Sequence, residues 1–403
     1  MAAGPTPYLS IALLSWESLY SVAVGGVAAH VTELAAGLQR KGHEVHVFVR
    51  MGENQQPYEV IHGVHVHRVA ISLHADFVTE MDMMGNSMMW SIGETESFMN
   101  RKFDIVHGHD WLVVKCLVQA KNIGGRKTVL SMHSTEYGRC GNTWHPHGQS
   151  ARIRSFEAEG CYVADRVIAV SGALCDEVKF QYQVPDWKLR CVYNGINVHR
   201  FDGFVDAAPI KHLYGIGALE PVVLYVGRLT SQKGTDLLIE AIPRVLRHRS
   251  DAKFVIVGDG DMRRGLEGRV HEMGVQHAVR FLGAKSSSDI EVINLFKICD
   301  CVCMPSRNEP FGIVMLETWA AGKPLVATRQ GGPGEIVSDG QDGYLTSVDV
   351  DGIAGGISGI FHNFAHSQWM GSQGRAKAAF RFSWDAIAEK TLEVYTELAK
   401  PHL

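Results

Sequence analysis

What the chain lacks narrows its class before any motif is read. No apolar run approaches the ~18 residues a membrane-crossing helix needs, and Met1 to Leu14 carries no basic region ahead of its apolar segment. Membrane association is therefore not expected. Charge of one sign is missing too: 39 basic against 43 acidic residues leave a net charge of −4, which offers no footprint for nucleic acid. Cysteine is sparse, with 8 scattered along 403 residues and no Cys-x-x-Cys pair. Cys301 and Cys303 alternate on one face of an apolar strand, so buried free thiols and a cytoplasmic setting are expected. No Walker loop and no short internal repeat is present.

What is there is a glycine-rich, turn-rich globular chain: 42 glycines and 46% hydrophobic residues in a length that calls for more than one core. Leu9–Ser15 reads as a strand that runs into Gly25-Gly26, followed by helical periodicity from Ala28 to Lys41 and a second strand at Val45–Val49. This strand, glycine turn, helix, strand unit recurs as far as Leu189–Tyr193, where Asn194-Gly195 marks a turn. The pattern then lapses and restarts at Val222–Val226, running to Gly343-Tyr344-Leu345. The expectation is α/β architecture with two Rossmann-like open parallel sheets, their carboxyl edges facing an interdomain cleft. The expected domains are residues 1–200, a linker over 201–218, and 219–383, with an amphipathic C-terminal helix over 384–403.

Polar groups collect where strands end. Gly227-Arg228-Leu229-Thr230-Ser231-Gln232-Lys233-Gly234 follows the first strand of the second domain and opens a helix. Helix-start amides plus two cations there suit a diphosphate. Glu309-Pro310-Phe311-Gly312 reads as a loop and Ile313–Ala321 as an apolar helix, placing Glu309 on the loop and Glu317 on the helix. On one continuous helix they would stand roughly 12 Å apart. Carboxylates cooperating across a glycosidic bond sit about 5 to 9.5 Å apart, so this spacing better suits two grips on a long ligand. Gly258, Gly260, Gly283 and Gly331-Gly332 end further strands, and Glu335 is read as lying on the first turn of a following helix. In the first domain, His107–Trp111 and His133–Arg139 leave apolar strands. The Met81–Trp90 stretch carries five methionines, a pattern that fits a core-facing helix better than a membrane face. His65 and His67 alternate on a strand, but no third ligand stands at metal spacing, and metal catalysis is not expected.

Together these residues resemble the GT-B nucleotide-sugar glycosyltransferases of family 4, the retaining group that includes bacterial and archaeal glycogen synthases. The resemblance covers nearly the whole chain and is most specific at the Glu309/Glu317 pair in its Pro-Phe-Gly context. It implies a metal-independent, retaining hexosyltransferase of carbohydrate biosynthesis, with UDP- or ADP-glucose as co-substrate, no further cofactor, and a saccharide or other hydroxyl acceptor. By that resemblance Arg228 and Lys233 hold the donor diphosphate. Glu309 meets the transferred sugar beside the amides of Phe311 and Gly312, and Glu317 bonds the ribose. Gly25 and Gly26 admit phosphate, Gly283 borders the base, and His133 sits by the reactive side of the sugar. His109, Asp110, Trp111, Glu136, Tyr137 and Arg139 are candidate acceptor contacts. The final helix is implied to cross back onto the first domain. A nucleotide-sugar epimerase or phosphorylase on the same fold, and a non-catalytic nucleotide-sugar binding protein, are the alternatives.

Overall fold

The computed structural model describes residues 8–286 and 289–399. The part of the expected C-terminal helix beyond residue 399, and the part of the Met1–Leu14 stretch before residue 8, lie outside the described residues. Two compact units emerge: the described part of residues 1–195 with the helix Trp384–Ala399, and residues 196–383.

Among the described residues the first unit has an eight-stranded sheet. Its strands are β1 (Ser10–Ser15), β2 (Glu44–Arg50), β3 (Tyr58–Ile61), β4 (Val64–Val69), β5 (Ile105–His109), β6 (Lys127–Met132), β7 (Arg166–Ala169) and β8 (Leu189–Cys191). Their spatial order is β3-β4-β2-β1-β5-β6-β7-β8. Every pairing is parallel except β3 with β4, which corrects the expectation of a wholly parallel sheet. The cause is local: His62-Gly63 takes positive φ at both residues, +50° and +82°, and such a two-residue turn folds the edge into a hairpin.

One face of this sheet packs on the helices Gly26–Arg40 and Trp384–Ala399 through Val31, Leu34, Leu38, Ile387, Leu392 and Tyr395. Buried residues recur at Trp384, Ile387, Ala388, Thr391, Leu392 and Tyr395, all apolar but Thr391, so the last helix buries one continuous stripe. Gly37 lets that helix close in, since a Cβ there would stand 3.1 Å from the Trp384 carbonyl oxygen. The methionine-rich helix Phe77–Met99 turns Met81, Met84 and Met88 inward, each at most 3% exposed, as core residues. None of the described helices is long and apolar enough to cross a membrane.

The second unit carries β9 (Val222–Val226), β10 (Lys253–Val257), β11 (Val279–Gly283), β12 (Cys301–Met304), β13 (Leu325–Thr328) and β14 (Gly343–Thr346). They form a parallel sheet in the order β11-β10-β9-β12-β13-β14. Cys301 and Cys303 lie in its core as free thiols. The stretch 201–218, expected as a linker, is folded into this unit. Phe201 packs edge-on against Phe296 at 5.8 Å, Ile216 is buried, and the Lys211 ammonium donates to the Glu220 carbonyl at 2.8 Å within the helix Ala207–Leu213 and its following turn. Isolated apolar anchors separated by polar residues have no period, which is why the stretch reads as a lapse. The helices Val350–His362 and Phe364–Arg381 also escaped the alternation pattern. Glycines at 352, 355, 356 and 359 dilute the helical signal of the first.

Candidate active site

In each sheet the strand order reverses once, beside β1 in the first and beside β9 in the second. The crevice outside the carboxyl ends of strands at such a point is where open α/β sheets bind ligands.

At the carboxyl edge of the second sheet four loops are pressed together in two pairs. Gly258, with φ +145°, ends β10 so close to the loop after β9 that a Cβ would fall 1.8 Å from the Gly227 carbonyl oxygen. Gly331, with φ +58°, does the same against Glu309, at 2.0 Å from its carbonyl oxygen, and the Gly332 amide donates to that oxygen at 2.9 Å. Both contacts exclude any side chain, and the positive φ at Gly331 would strain one in any case. The result is a fixed frame around Glu309. Glu309 is 7% exposed, and its carboxylate accepts from Lys233 Nζ at 2.7 Å and from Ser306 Oγ at 3.2 Å. The structure therefore brings together Lys233 and Glu309, residues separated by 76 positions.

The loop carrying Glu309 is tied to the Lys233 loop by a second link. Arg307 makes two bonds to Asp236, at 2.8 and 2.6 Å, and one to the Ser231 carbonyl at 2.8 Å. Thr328 Oγ1 donates to the Ser306 carbonyl at 2.5 Å. Ser306, Arg307, Asp236 and Thr328 were not found by sequence reasoning: the Arg307–Asp236 tie spans 71 positions and leaves no spacing signal, and Thr328 meets Ser306 only because β12 and β13 are neighbours in the sheet. Arg228 is exposed, its guanidinium 3.4 Å from Gln232 Oε1, and its carbonyl accepts from Tyr225 Oη at 2.8 Å.

Glu317 sits on the helix Ile313–Ala320, which starts at Gly312 with φ +91°, so Glu309 and Glu317 do not share a helix. Glu317 is 3% exposed, and burial pushes its carboxyl up to about 7 against the pull of Arg200. Phe311 is buried, 6.3 Å from the Phe382 ring. The Gly283 carbonyl, at the end of β11, accepts from the Gly258 amide at 2.8 Å. Glu335 is near the end of the short helix Gly331–Ile336 rather than on its first turn, which removes a dipole explanation for it.

The carboxyl edge of the first sheet is built differently. Four histidines meet there. His30 Nδ1 donates to Asn194 Oδ1 at 2.7 Å, His109 Nδ1 lies 3.2 Å from His133 Nε2, and the His30 ring stands 4.5 Å from that of His133. His107 is held between Tyr395 Oη at 2.6 Å and Ser131 Oγ at 2.8 Å. Burial lowers all four, His133 to about 4, so the cluster is neutral at physiological pH. His30, His109 and His133 each offer a ligand atom within 4.8 Å of the others and are one set that could hold a metal ion.

Asp110 takes φ +59° and ψ 177°, a region nearly reserved for glycine, and is held there by its amide on the Ser131 carbonyl at 2.8 Å. Its carboxylate accepts from the His133 amide at 2.8 Å, and burial raises it to about 6 while Arg139 opposes. Asp110 thus positions the His133 loop. Glu17, missed by sequence reasoning, accepts from the amides of Val24 and Gly25 at 2.7 and 2.6 Å. The Gly25 amide, expected to face phosphate, already serves an internal carboxylate; a Cβ at Gly25 would lie 3.3 Å from the same side chain. Gly26 opens the helix that follows.

Most of the candidate acceptor contacts lie in the interior. His109 is 1% exposed, and Trp111 is buried between Phe77 at 5.9 Å and Phe156 at 6.3 Å. Glu136 is buried and paired with Arg139, which also bonds Ser134 Oγ at 2.8 Å and Glu157 at 2.5 Å. The reason is that this loop must neutralise the fully buried Glu157, and that consumes Arg139. Tyr137 remains half-buried, 5.0 Å from the exposed Trp144, whose ring also carries Arg154 at 4.5 Å.

Comparison with known proteins adds to this geometry. Residues 24–200 match the model of Glycosyltransferase Family 4 and residues 211–377 that of Glycosyl transferases group 1. An uncharacterized glycosyltransferase of Methanocaldococcus jannaschii is 37% identical over 96% of this chain and 98% of its own. Glycogen synthase of Mycobacterium tuberculosis is 30% identical over 96% of this chain and 94% of its own. Among solved structures, sucrose-phosphate synthase from Thermosynechococcus elongatus superposes with a TM-score of 0.81 at 23% identity, covering 97% of this chain and 99% of that one, a likeness of fold.

Proposed function

The chain belongs to the family 4 (group 1) glycosyltransferases of GT-B fold, enzymes of glycosyl transfer from nucleotide sugars, and from that premise we propose a cytoplasmic, retaining, metal-independent hexosyltransferase. In this reading the donor is UDP- or ADP-glucose and the acceptor a saccharide or another hydroxyl compound. The observation that carries it is the Lys233–Glu309 contact of 2.7 Å at the switch point of the second sheet. Lys233 with Arg228 would take up the negative charge that grows on the diphosphate as the glycosyl bond breaks. Glu309, freed from Lys233 by the incoming phosphate, would accept from the sugar hydroxyls, and Glu317 from the ribose.

Two cations supplied by the chain can perform the charge stabilisation that a metal ion would otherwise supply. His133, neutral and fixed by Asp110, would offer its ring to the sugar without adding charge. Glu309 is engaged by both Lys233 and Ser306, which suits a grip rather than a nucleophile. Retention would then follow a front-face route through an oxocarbenium-like sugar. A glycosyl adduct trapped on Glu309 and seen by mass spectrometry would overturn this route. The eight free thiols suit a reducing compartment.

The test is nucleoside diphosphate release from a panel of donor sugars with and without oligosaccharide acceptors. Release that requires acceptor supports the transferase, and the donor that releases identifies base and sugar. Absence of release with every donor, despite binding, would favour a non-catalytic nucleotide-sugar binding protein.

A further inference from the structure

The opposite, amino-terminal edge of the first sheet holds a second cluster of titratable groups that glycosyl transfer does not use. Glu44 is the first residue of β2, and His46 stands directly across from His65 of β4 in the parallel register. The two imidazoles stack at 4.3 Å, with His67 beside His46 at 5.1 Å and Phe103 closing the cluster at 5.0 Å. One ligand atom each from Glu44, His46 and His65 lies within 4.8 Å of the other two.

The hydrogen bonds show which atoms are left. His46 Nδ1 is 2.9 Å from His67 Nε2, and His65 Nδ1 is 2.8 Å from Tyr58 Oη. Glu44 Oε2 accepts from Ser10 Oγ at 2.8 Å and from Arg101. That leaves His46 Nε2, His65 Nε2 and Glu44 Oε1. His46 is 3% exposed, and its Nε2 has no hydrogen-bond partner among the described residues; Glu44 Oε1 is 3.8 Å from it, beyond hydrogen-bond reach. A buried polar atom with nothing to bond is costly, and native proteins rarely leave one without a reason. With His46 Nδ1–H donated to His67, its Nε2 presents a lone pair.

We propose that Glu44, His46 and His65 form a binding site for a zinc-type divalent cation that clips β2 to β4. Two imidazoles and a carboxylate are a borderline donor set of the kind zinc takes, with water completing the tetrahedron. Donors on a tetrahedral zinc stand roughly 3.3 Å apart, so a shift of about an ångström or so closes the set. The remaining partners do what outer groups do at metal sites: His67, Tyr58 and Ser10 each hold the far atom of one ligand and fix its orientation. Half-exposed His65 and Glu44 leave a path for the ion. Because the site lies at the edge remote from Gly25, Asp110 and His133, its ion would brace the sheet rather than take part in transfer.

The test uses the full, tag-free chain, stripped with chelator and titrated with Zn²⁺ and, for its spectrum, Co²⁺. Saturable binding of one ion per chain, visible-region Co²⁺ bands of tetrahedral strength and a rise in melting temperature are expected. Glu44→Gln and His65→Gln should each weaken binding at least about 10-fold, with far-ultraviolet circular dichroism confirming the fold, while His133→Ala leaves it unchanged. Two independent ligand variants keep the test decisive if one fails to fold. No saturable binding, binding unchanged in both ligand variants, or binding lost in His133→Ala, which would place the ion in the other histidine cluster, overturns the proposal.

Discussion

At the carboxyl edge of the second sheet the working groups are charged and paired: Lys233 meets Glu309 at 2.7 Å, and Arg307 grips Asp236 with two bonds. At the carboxyl edge of the first sheet the histidines are neutral, with His30, His107, His109 and His133 all lowered by burial, and the one carboxylate beside them, Asp110, is raised only to about 6. The difference matches the chemistry proposed for each half. A diphosphate leaving group needs fixed positive charge, whereas a sugar ring needs hydrogen bonds that do not draw water or counter-ions. Glu17 sharpens the contrast, since the amides of the glycine turn after β1 are filled from within by its carboxylate.

The contrast breaks most readily at Lys233. Lys233→Ala should lower kcat by about 10² to 10³, roughly 3 to 4 kcal/mol, measured as nucleoside diphosphate release. Its unfolding free energy should fall by only about 1 to 2 kcal/mol, since Glu309 keeps Ser306. Normal kinetics in this variant would remove the diphosphate assignment.

Gly331→Ala is next. It places a Cβ against the Glu309 carbonyl at a positive φ, and about 3 kcal/mol of stability should be lost in urea melts. A neutral result would mean the frame around Glu309 is loose.

The pH response of Glu317 comes third. Its folded pKa, about 7, is raised above the ordinary carboxyl value of 4.5. The stability it contributes is therefore full below the unfolded value and lost as pH rises through the folded one. Wild type should lose up to about 3 kcal/mol relative to Glu317→Gln between pH 4.5 and 7, at ~1.4 kcal/mol per pH unit. Parallel stability profiles for the two proteins would show that Glu317 is not held neutral.

The smallest effect is expected at Arg307→Ala. The pair with Asp236 is about one-third exposed on both sides, so stability should fall by no more than about 1 kcal/mol. Catalysis should suffer more than stability, because the Glu309 loop loses its tie to the Lys233 loop. Equal, small losses in both would make Arg307 a surface ion pair and nothing else.

Much of the fold was legible because parallel strands buried on both faces read as apolar runs, and glycine punctuates their carboxyl ends. What escaped had a physical reason in each case. The edge strand β3 is short and mostly exposed, Val350–His362 is diluted by glycine, and 201–218 is anchored by single apolar residues without a period. In the candidate site, Glu309, Lys233 and Glu317 were visible by residue type and place. Arg307 and Asp236 were not, because only folding brings them together across 71 positions, and Glu17 and Ser306 were not, because a carboxylate or hydroxyl a few residues from its partner is ordinary loop composition. Side-chain type alone also suggested exposure for Trp111, Glu136 and Arg139, which the structure turns inward.

The sequence by itself determined the family, the alternation of strand and helix, and the sheet edges where polar residues gather, because these follow from local periodicity and from glycine at strand ends. Tertiary structure decided which of those residues meet. Lys233 finds Glu309 across 76 positions, and His46 finds His65 across a strand pair, because parallel strands bring distant segments to one edge in a register that no linear spacing records.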